Sequence, residues 1–254
     1  MSSRAHQKAA ARRQREHAVA AEQRRRNLAT LAAVAVAALA LVAIVIAVSR
    51  SGAEEPPAAA AVQPAAPTAR FAGIPQDGIV LGSSSAPATL VEYADLQCPY
   101  CGVYGREVLP SVVDKYVRPG HLKLESHVLT FLGEDSVRAG RMAAAAALQN
   151  RLWDFTDAFY AVQGEENSGY VTDEFLTEVG TAARVDVDAA RAAQDGSHAE
   201  RVLRDAQETA ERLGVQGTPA FYVRRGKGEP QPLEFDELTP EAFAAAIDDA
   251  LAAR

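Results

Sequence analysis

The stretch Leu90-Val91-Glu92-Tyr93-Ala94-Asp95-Leu96-Gln97-Cys98-Pro99-Tyr100-Cys101 decides the fold. Its first half, with Thr89, is a mainly apolar run with β-branched and aromatic members, which predicts a strand over 89–94. Its second half holds both cysteines of the chain in one tetrapeptide. Pro99 suits a first helical turn, where an N–H has no intrahelical partner, and Val108, Leu109, Val112, Val113 and Tyr116 then recur at helical spacing. The cysteine pair therefore opens a helix that follows directly on a strand. Pro110 falls inside the same pattern and predicts a kink or break there.

Two cysteines so spaced have three ordinary explanations: a redox pair, half a zinc site, or a small structural disulfide. Zinc would need two further ligands. The five histidines (His6, His17, His121, His127 and His198) do not form the paired spacing that completes such a site, so no metal is expected. A bridge across so short a loop removes little entropy from the unfolded chain, which weakens the purely structural reading. The redox reading is favoured. A Cys98 thiolate at a helix N-terminus meets unsatisfied N–H groups and the positive end of the helix dipole, so its pKa is expected to be lowered. Cys101, one turn inside, is expected to be more buried.

Working outward, residues 79–81 and 122–129 read as further strands, and 220–223 with 233–235 as a pair joined across Gly226 and Gly228. Helical patterns cover 136–148, 151–162, 172–182 and 197–213. In the last, Ser197 with Glu200 reads as a capping box, Val202, Ala206, Ala210 and Leu213 form a stripe, and Gly214 ends it. Thr239 caps a closing helix with Phe243, Ile247 and Leu251 on one face. Strand, helix and strand, then a hairpin and a final helix, make an α/β unit with one packed sheet.

At this point the residues resemble a family. The quoted stretch, with Gly217-Thr218-Pro219 far downstream, looks like the DsbA-like branch of the thioredoxin superfamily. The resemblance covers residues 71–254 and includes Arg151-Leu152-Trp153-Asp154-Phe155, similar to an aromatic segment of that branch's helical insertion. It implies a thioredoxin fold with an inserted helical subdomain, here about residues 135–213. Base rates alone would make the bond before Pro219 trans. In the family this proline is cis and faces the disulfide, which implies that the Thr218 backbone pairs with an extended substrate as a short added strand.

Glu92 has two readings: a solvent-facing residue at a strand end, or a buried carboxylate near Cys101 that relays protons during exchange. In DsbA-like proteins a glutamate at this offset commonly has a basic partner on the strand that here contains Glu125. This chain departs from that pattern, with Glu125 and His127 in place of a lysine. His127 reads as a packed or exposed strand residue, with a second proton carrier as the sharper alternative. Pro99 and Tyr100 are expected to tune the disulfide, and Tyr100 to contact substrate, since its phenol stays protonated at neutral pH. Trp153, Phe155, Phe159 and Tyr160 read as core of the insertion, with an apolar groove for unfolded chains as the alternative.

The rest of the chain bears on where such a domain works. Of 254 residues, 48% are apolar and 23% charged, with 33 acids against 26 bases. Residues 1–27 carry eight Lys or Arg and two Glu, while residues 51–254 carry 17 bases and 31 acids. The acidic body argues against nucleic acid as a partner. Residues 28–48 are Leu, Ala, Val and Ile with Thr30 as the only polar member, and as a helix would span roughly 31 Å. One transmembrane helix is expected there. Arg24, Arg25 and Arg26 before it, against Arg50 alone after it, place a basic tail (1–27) in the cytoplasm and the body outside the cell membrane. A cleavable signal peptide is the alternative, but the basic region and apolar run are long for one. Residues 49–70, rich in Pro and Ala, read as a semi-extended linker.

The resemblance then implies an enzyme, a thiol-disulfide oxidoreductase acting on cysteine-containing exported proteins. It would need no cofactor beyond the Cys98–Cys101 disulfide, which a quinone-linked membrane partner would restore. A reductase or isomerase uses the same chemistry in the other direction, and the residues between the cysteines do not choose between them. A binding module with an idle disulfide is the reading from a different class.

Overall fold

The structure, a computed structural model, describes residues 69–252. The basic tail, the expected span at 28–48 and nearly all of the linker lie outside the described residues. Among those described, no helix is long and apolar enough to cross a membrane.

Six strands form one sheet: β1 (Gln76–Asp77), β2 (Val80–Leu81), β3 (Ala88–Asp95), β4 (Leu122–Leu129), β5 (Ala220–Arg225) and β6 (Gln231–Pro232), in the order β1-β2-β4-β3-β5-β6. Every residue of β3 is buried, as expected for a strand covered on both faces. It runs parallel to β4, with Glu92 opposite Ser126 and Tyr93 opposite His127, and antiparallel to β5. A parallel neighbour requires a crossover, and the helical run α1 supplies it.

α1 begins as Pro99–Val103 and continues through Tyr104–Val108, Leu109–Val112 and Val113–Val117. The segments Tyr104–Val108 and Val113–Val117 are π-type turns on either side of Pro110. The Leu109 N–H reaches back to the Tyr104 carbonyl rather than to Gly105, and the next residue, Pro110, has no N–H to offer. The Gly105 carbonyl is taken instead by Arg70 Nη1 at 2.9 Å. The expected irregularity at Pro110 is thus a widened helix, not a break. Arg70 is tied further into the body by an ion pair with Asp157 and by its own carbonyl, which accepts from Arg118 Nη2 at 2.7 Å.

After β4 come α2 (Glu134–Ala147), α3 (Leu152–Ala161), α4 (Asp173–Ala182), α5 (Val187–Ala193) and α6 (Ser197–Leu213), and α7 (Pro240–Ala252) closes the chain. Thr172 caps α4 through the Phe175 N–H and Asp186 caps α5 through the Ala189 N–H. β1 and α5 were not expected, being two and seven residues long and so too short for a periodic signal. The capping box at Ser197 is corrected. Gly196 is the cap and accepts the Glu200 N–H, while Ser197 is already helical. The expected strand 233–235 is shifted in its bounds: the pairing with β5 runs through Gln231 and Pro232 and ends with the Leu233 N–H on the Phe221 carbonyl at 2.8 Å. The Leu233 and Phe235 side chains pack into the core.

One sheet face packs on α1 and α7, with Leu90, Tyr104, Val108, Val112, Phe221, Phe243 and Ile247 at the centre. The other is covered by α6 through Ala206 and Ala210 against Val91, Tyr93 and Tyr222. α6 is therefore a layer of the α/β core, and not only part of the insertion that the family resemblance implies. The remaining insertion helices pack over the C-terminal end of β3, where Phe155, Phe159 and Tyr160 join Ala94, Leu96, Cys98 and Cys101. Trp153 belongs instead to the first cluster, edge-on to Phe71 and donating to the Ile79 carbonyl at 3.0 Å.

Phe243 is fully buried, with its ring 4.8 Å from Phe221, 5.1 Å from Phe235 and 5.3 Å from Tyr104. Phe243→Ala is expected to lower the free energy of unfolding by about 3–5 kcal/mol, read from the urea midpoint.

Candidate active site

β3 ends at Asp95, and the chain must turn within three residues to start α1. That turn is closed by the Cys98 N–H on the Asp95 carbonyl at 3.0 Å and by the Gly102 N–H on the Cys98 carbonyl at 3.2 Å. Cys98 has extended backbone (φ −69°, ψ 120°) and sits at the N-cap of α1, with Pro99 as its first residue. Both thiols are free and buried, Cys101 completely and Cys98 with 5% exposure. Tyr100 between them is 68% exposed, an unusual position for a large aromatic side chain.

The two thiols are driven in opposite directions. Cys98 is held down to about 6, first by the hydrogen bond from the Cys101 thiol and also by the Thr218 side chain and the N–H groups of Cys101 and Tyr100, against the opposing effect of burial. Cys101 is pushed well above the ordinary thiol value by burial, then by its hydrogen bond to Cys98 and the negative charges of Cys98 and Glu92. The expected lowering at Cys98 is present, but Cys101 contributes more to it than the helix N-terminus does.

Thr218 and Pro219 lie directly across from the pair, joined by a cis peptide bond. The Cys98 thiol donates to the Thr218 carbonyl at 3.2 Å. Both residues precede β5, whose first ladder pair is Ala220 with Tyr93. The turn at the end of β3 and the loop entering β5 thus meet because their strands are neighbours.

Glu92 is buried, at 4% exposure, and is not solvent-facing. Burial pushes its carboxyl up to about 8. It lines a cavity of about 10 Å³ together with Tyr104, Ser126, Trp153, Asp157 and Tyr160. None of the side chains lining that cavity is basic. Glu125 and His127 do not stand in for a lysine, because their register partners are Val91 and Tyr93, whose side chains occupy the opposite sheet face. There His127 stacks on Tyr93 with ring centres 4.9 Å apart and bonds Glu125 at 2.8 Å, while Arg224 pairs with Glu125. His127 is therefore a packed strand residue, the plainer of its two readings. Phe155, Phe159 and Tyr160 are likewise core and line no open groove.

Asp95 escaped the sequence reading. Its fully buried carboxylate accepts from the Gln97 N–H at 2.9 Å through one oxygen. The other oxygen accepts from the N–H groups of Phe131 and Leu132 at 3.1 and 3.2 Å and from the Ser136 hydroxyl at 2.6 Å. An acid between a strand and a helix-opening cysteine was the available signal, but its partners lie some 40 residues on. Gln97 and Gln163, which also brace this turn, were missed for the same reason.

A redox-poised thiol pair at the start of the crossover helix of such a sheet defines a protein thiol-disulfide oxidoreductase of the DsbA-like kind. The thioredoxin family model matches residues 75–249, more than half of the chain, and the chain belongs to that family. A curated relative, the probable disulfide bond formation protein D of Bacillus anthracis, is 28% identical over 162 residues, or 62% of this chain and 73% of that protein. The crystal structure of oxidised BdbD from Bacillus subtilis aligns with a TM-score of 0.60 at 19% identity, covering 74% of this chain and 97% of that one, and shares its fold. A thioredoxin-like oxidoreductase from Silicibacter pomeroyi aligns with a TM-score of 0.56 at 25% identity, covering 71% and 94%.

The Glu92 shift has a sign that can be measured. A folded carboxyl held up to about 8, against an ordinary 4.5, keeps a proton that the unfolded chain has released. The stability this confers is complete below about 4.5 and lost as pH rises through 8. Glu92→Gln removes the loss. Urea unfolding at pH 5 and pH 8 is expected to show the variant gaining on the wild-type protein by on the order of a few kcal/mol at the higher pH.

Proposed function

We propose that this protein is an extracytoplasmic disulfide donor, held at the cell membrane by residues 28–48, that oxidises cysteine pairs in exported proteins through Cys98. The observation that carries this reading is the opposed poise of the two thiols, Cys98 near 6 and Cys101 well above the ordinary value. The relative named for disulfide bond formation supports the same direction.

In the first step a client thiolate attacks Sγ of Cys98 in the Cys98–Cys101 disulfide. A client–Cys98 bond forms, the intramolecular bond breaks, and Cys101 leaves as a thiolate. Cys101 then takes up a proton, as its raised pKa demands, and Glu92, neutral at pH 7, is the proposed source. In the second step another client thiolate attacks the client sulfur of the mixed disulfide, and Cys98 leaves. Two electrons have passed from the client dithiol to the enzyme. Cys98 is a good leaving group because its thiolate is stabilised. Thr218 and Pro219 border the thiol and are the proposed client contact, with an extended segment pairing along the Thr218 backbone. Exposed Tyr100 offers an aromatic face beside the attacked sulfur. A quinone-linked membrane partner is proposed to reoxidise the pair.

The lowered Cys98 value also sets the driving force. In the reduced protein its stabilisation relative to the unfolded chain is complete above the ordinary thiol value of 9.0 and is lost as pH falls through about 6. At neutral pH part of it is present, and only in the reduced form, which favours giving the disulfide away. Equilibration of the full chain with a glutathione series, read by thiol trapping, is expected to give a potential near the oxidising end, about −120 mV. A value near −270 mV would make the protein a reductase instead. Cys98→Ser is expected to abolish oxidative refolding of a reduced client, and retained turnover would refute the assignment of Cys98.

A further inference from the structure

The irregular segment between α3 and α4, residues 163–170, is mostly exposed, yet its polar side chains and backbone grip the turn that presents Cys98. Gln163 Nε2 donates to the Leu96 carbonyl at 2.9 Å and to the Cys98 carbonyl at 3.0 Å. At the other end of the segment, the Asn167 N–H donates to Gln97 Oε1 at 3.0 Å and Gln97 Nε2 donates to the Tyr170 hydroxyl at 2.9 Å. Three consecutive residues ahead of the helix, Leu96, Gln97 and Cys98, are thus held by one segment of the insertion.

The first turn of α1 is shaped to receive this grip. A Cβ on Gly102 would collide with Gln163 Oε1 and come within 2.7 Å of Arg106 Nη1. Arg106 itself is fixed by the Tyr160 carbonyl at 2.7 Å. Position 102 is therefore without a side chain at the place where the Gln163 amide crosses the helix.

We propose that Gln163 is a positioning residue for thiol exchange, its side-chain amide clamping the Leu96 and Cys98 carbonyls so that the Cys98 sulfur stays aligned with the donors that stabilise its thiolate. The inference rests on Cys98 being the attacked sulfur. Its physical basis is the coupling of sulfur position to the backbone. At its ψ of 120°, Cys98 is set against the N–H groups of Tyr100 and Cys101 and the Thr218 side chain. That setting is held by the two bonds to the Cys98 carbonyl, one from Gly102 and one from Gln163. Removing the amide leaves the longer of the two, at 3.2 Å, to hold the peptide alone.

The test uses the reduced full chain, with alkylation of Cys98 followed by mass spectrometry from pH 4 to pH 9. Gln163→Met keeps the length of the side chain and removes both polar atoms, and Gly102→Ala displaces the amide while leaving Gln163 in place. Each is expected to move the midpoint of the rate profile upward and to slow alkylation at pH 6 about threefold. The double variant is expected to show no more than the larger single effect, because both act on one contact. Thermal unfolding of the oxidised forms identifies any variant that is misfolded, in which case the other single variant carries the comparison. An unchanged midpoint in a folded Gln163→Met protein would overturn the proposal. A wild-type profile without a low midpoint would overturn the reading of Cys98 and the clamp with it.

Discussion

The carboxylate of Asp95 accepts four donors drawn from three places: the Gln97 N–H in the turn before the cysteines, the Phe131 and Leu132 N–H groups after β4, and the Ser136 hydroxyl in α2. It sits where the central strand ends and is completely shielded from water. A buried charge is tolerable only with such full hydrogen bonding, and truncating it would leave three N–H groups of tight turns unpaired. The consequence is that the end of β3, the cysteine turn and the start of the insertion cannot move independently. The rest of the site is built on that constraint.

Within this frame the protein separates two chemically identical thiols. Cys98 keeps a small exposed face, with N–H donors and the Thr218 loop around it, while Cys101 is enclosed beside Glu92 and the aromatic side chains of α3. Low polarity penalises any charge that lacks a donor, so the same burial that raises Cys101 and Glu92 makes the hydrogen bonds at Cys98 more effective. The insertion contributes by excluding water from behind the pair as much as by any direct contact. It also explains why Trp153, Phe155, Phe159 and Tyr160 are buried and not arrayed as a groove: they divide between the sheet core and the wall behind Cys101.

The departure from the common strand lysine has a structural answer. Register puts Glu125 and His127 on the α6 face and Ser126 on the Glu92 face, so Glu125 is satisfied by Arg224 and His127 on the sheet face opposite Glu92. Glu92 is left with hydroxyls and a second acid around its cavity, and burial there keeps it neutral at pH 7. A single step of strand register would have reversed these assignments.

Much was legible in the letters because it rests on local chemistry. Strand β4, the helix α6 with its Gly214 stop, the cap at Thr239 and the cysteine pair at a helix start follow from alternation, periodicity and the special backbone of Gly and Pro, all of which act over a few residues. The pairing of Thr218-Pro219 with that cysteine turn was legible only through resemblance to a family, since 120 residues separate them. The tertiary structure alone decided which sheet face each strand residue takes, that α6 is a core layer, that Gly196 and not Ser197 caps it, and that Asp95, Gln97 and Gln163 brace the active turn. Each of these depends on groups distant in sequence, whose hydrogen bonds and burial exist only once the chain is packed, so no local pattern carries them.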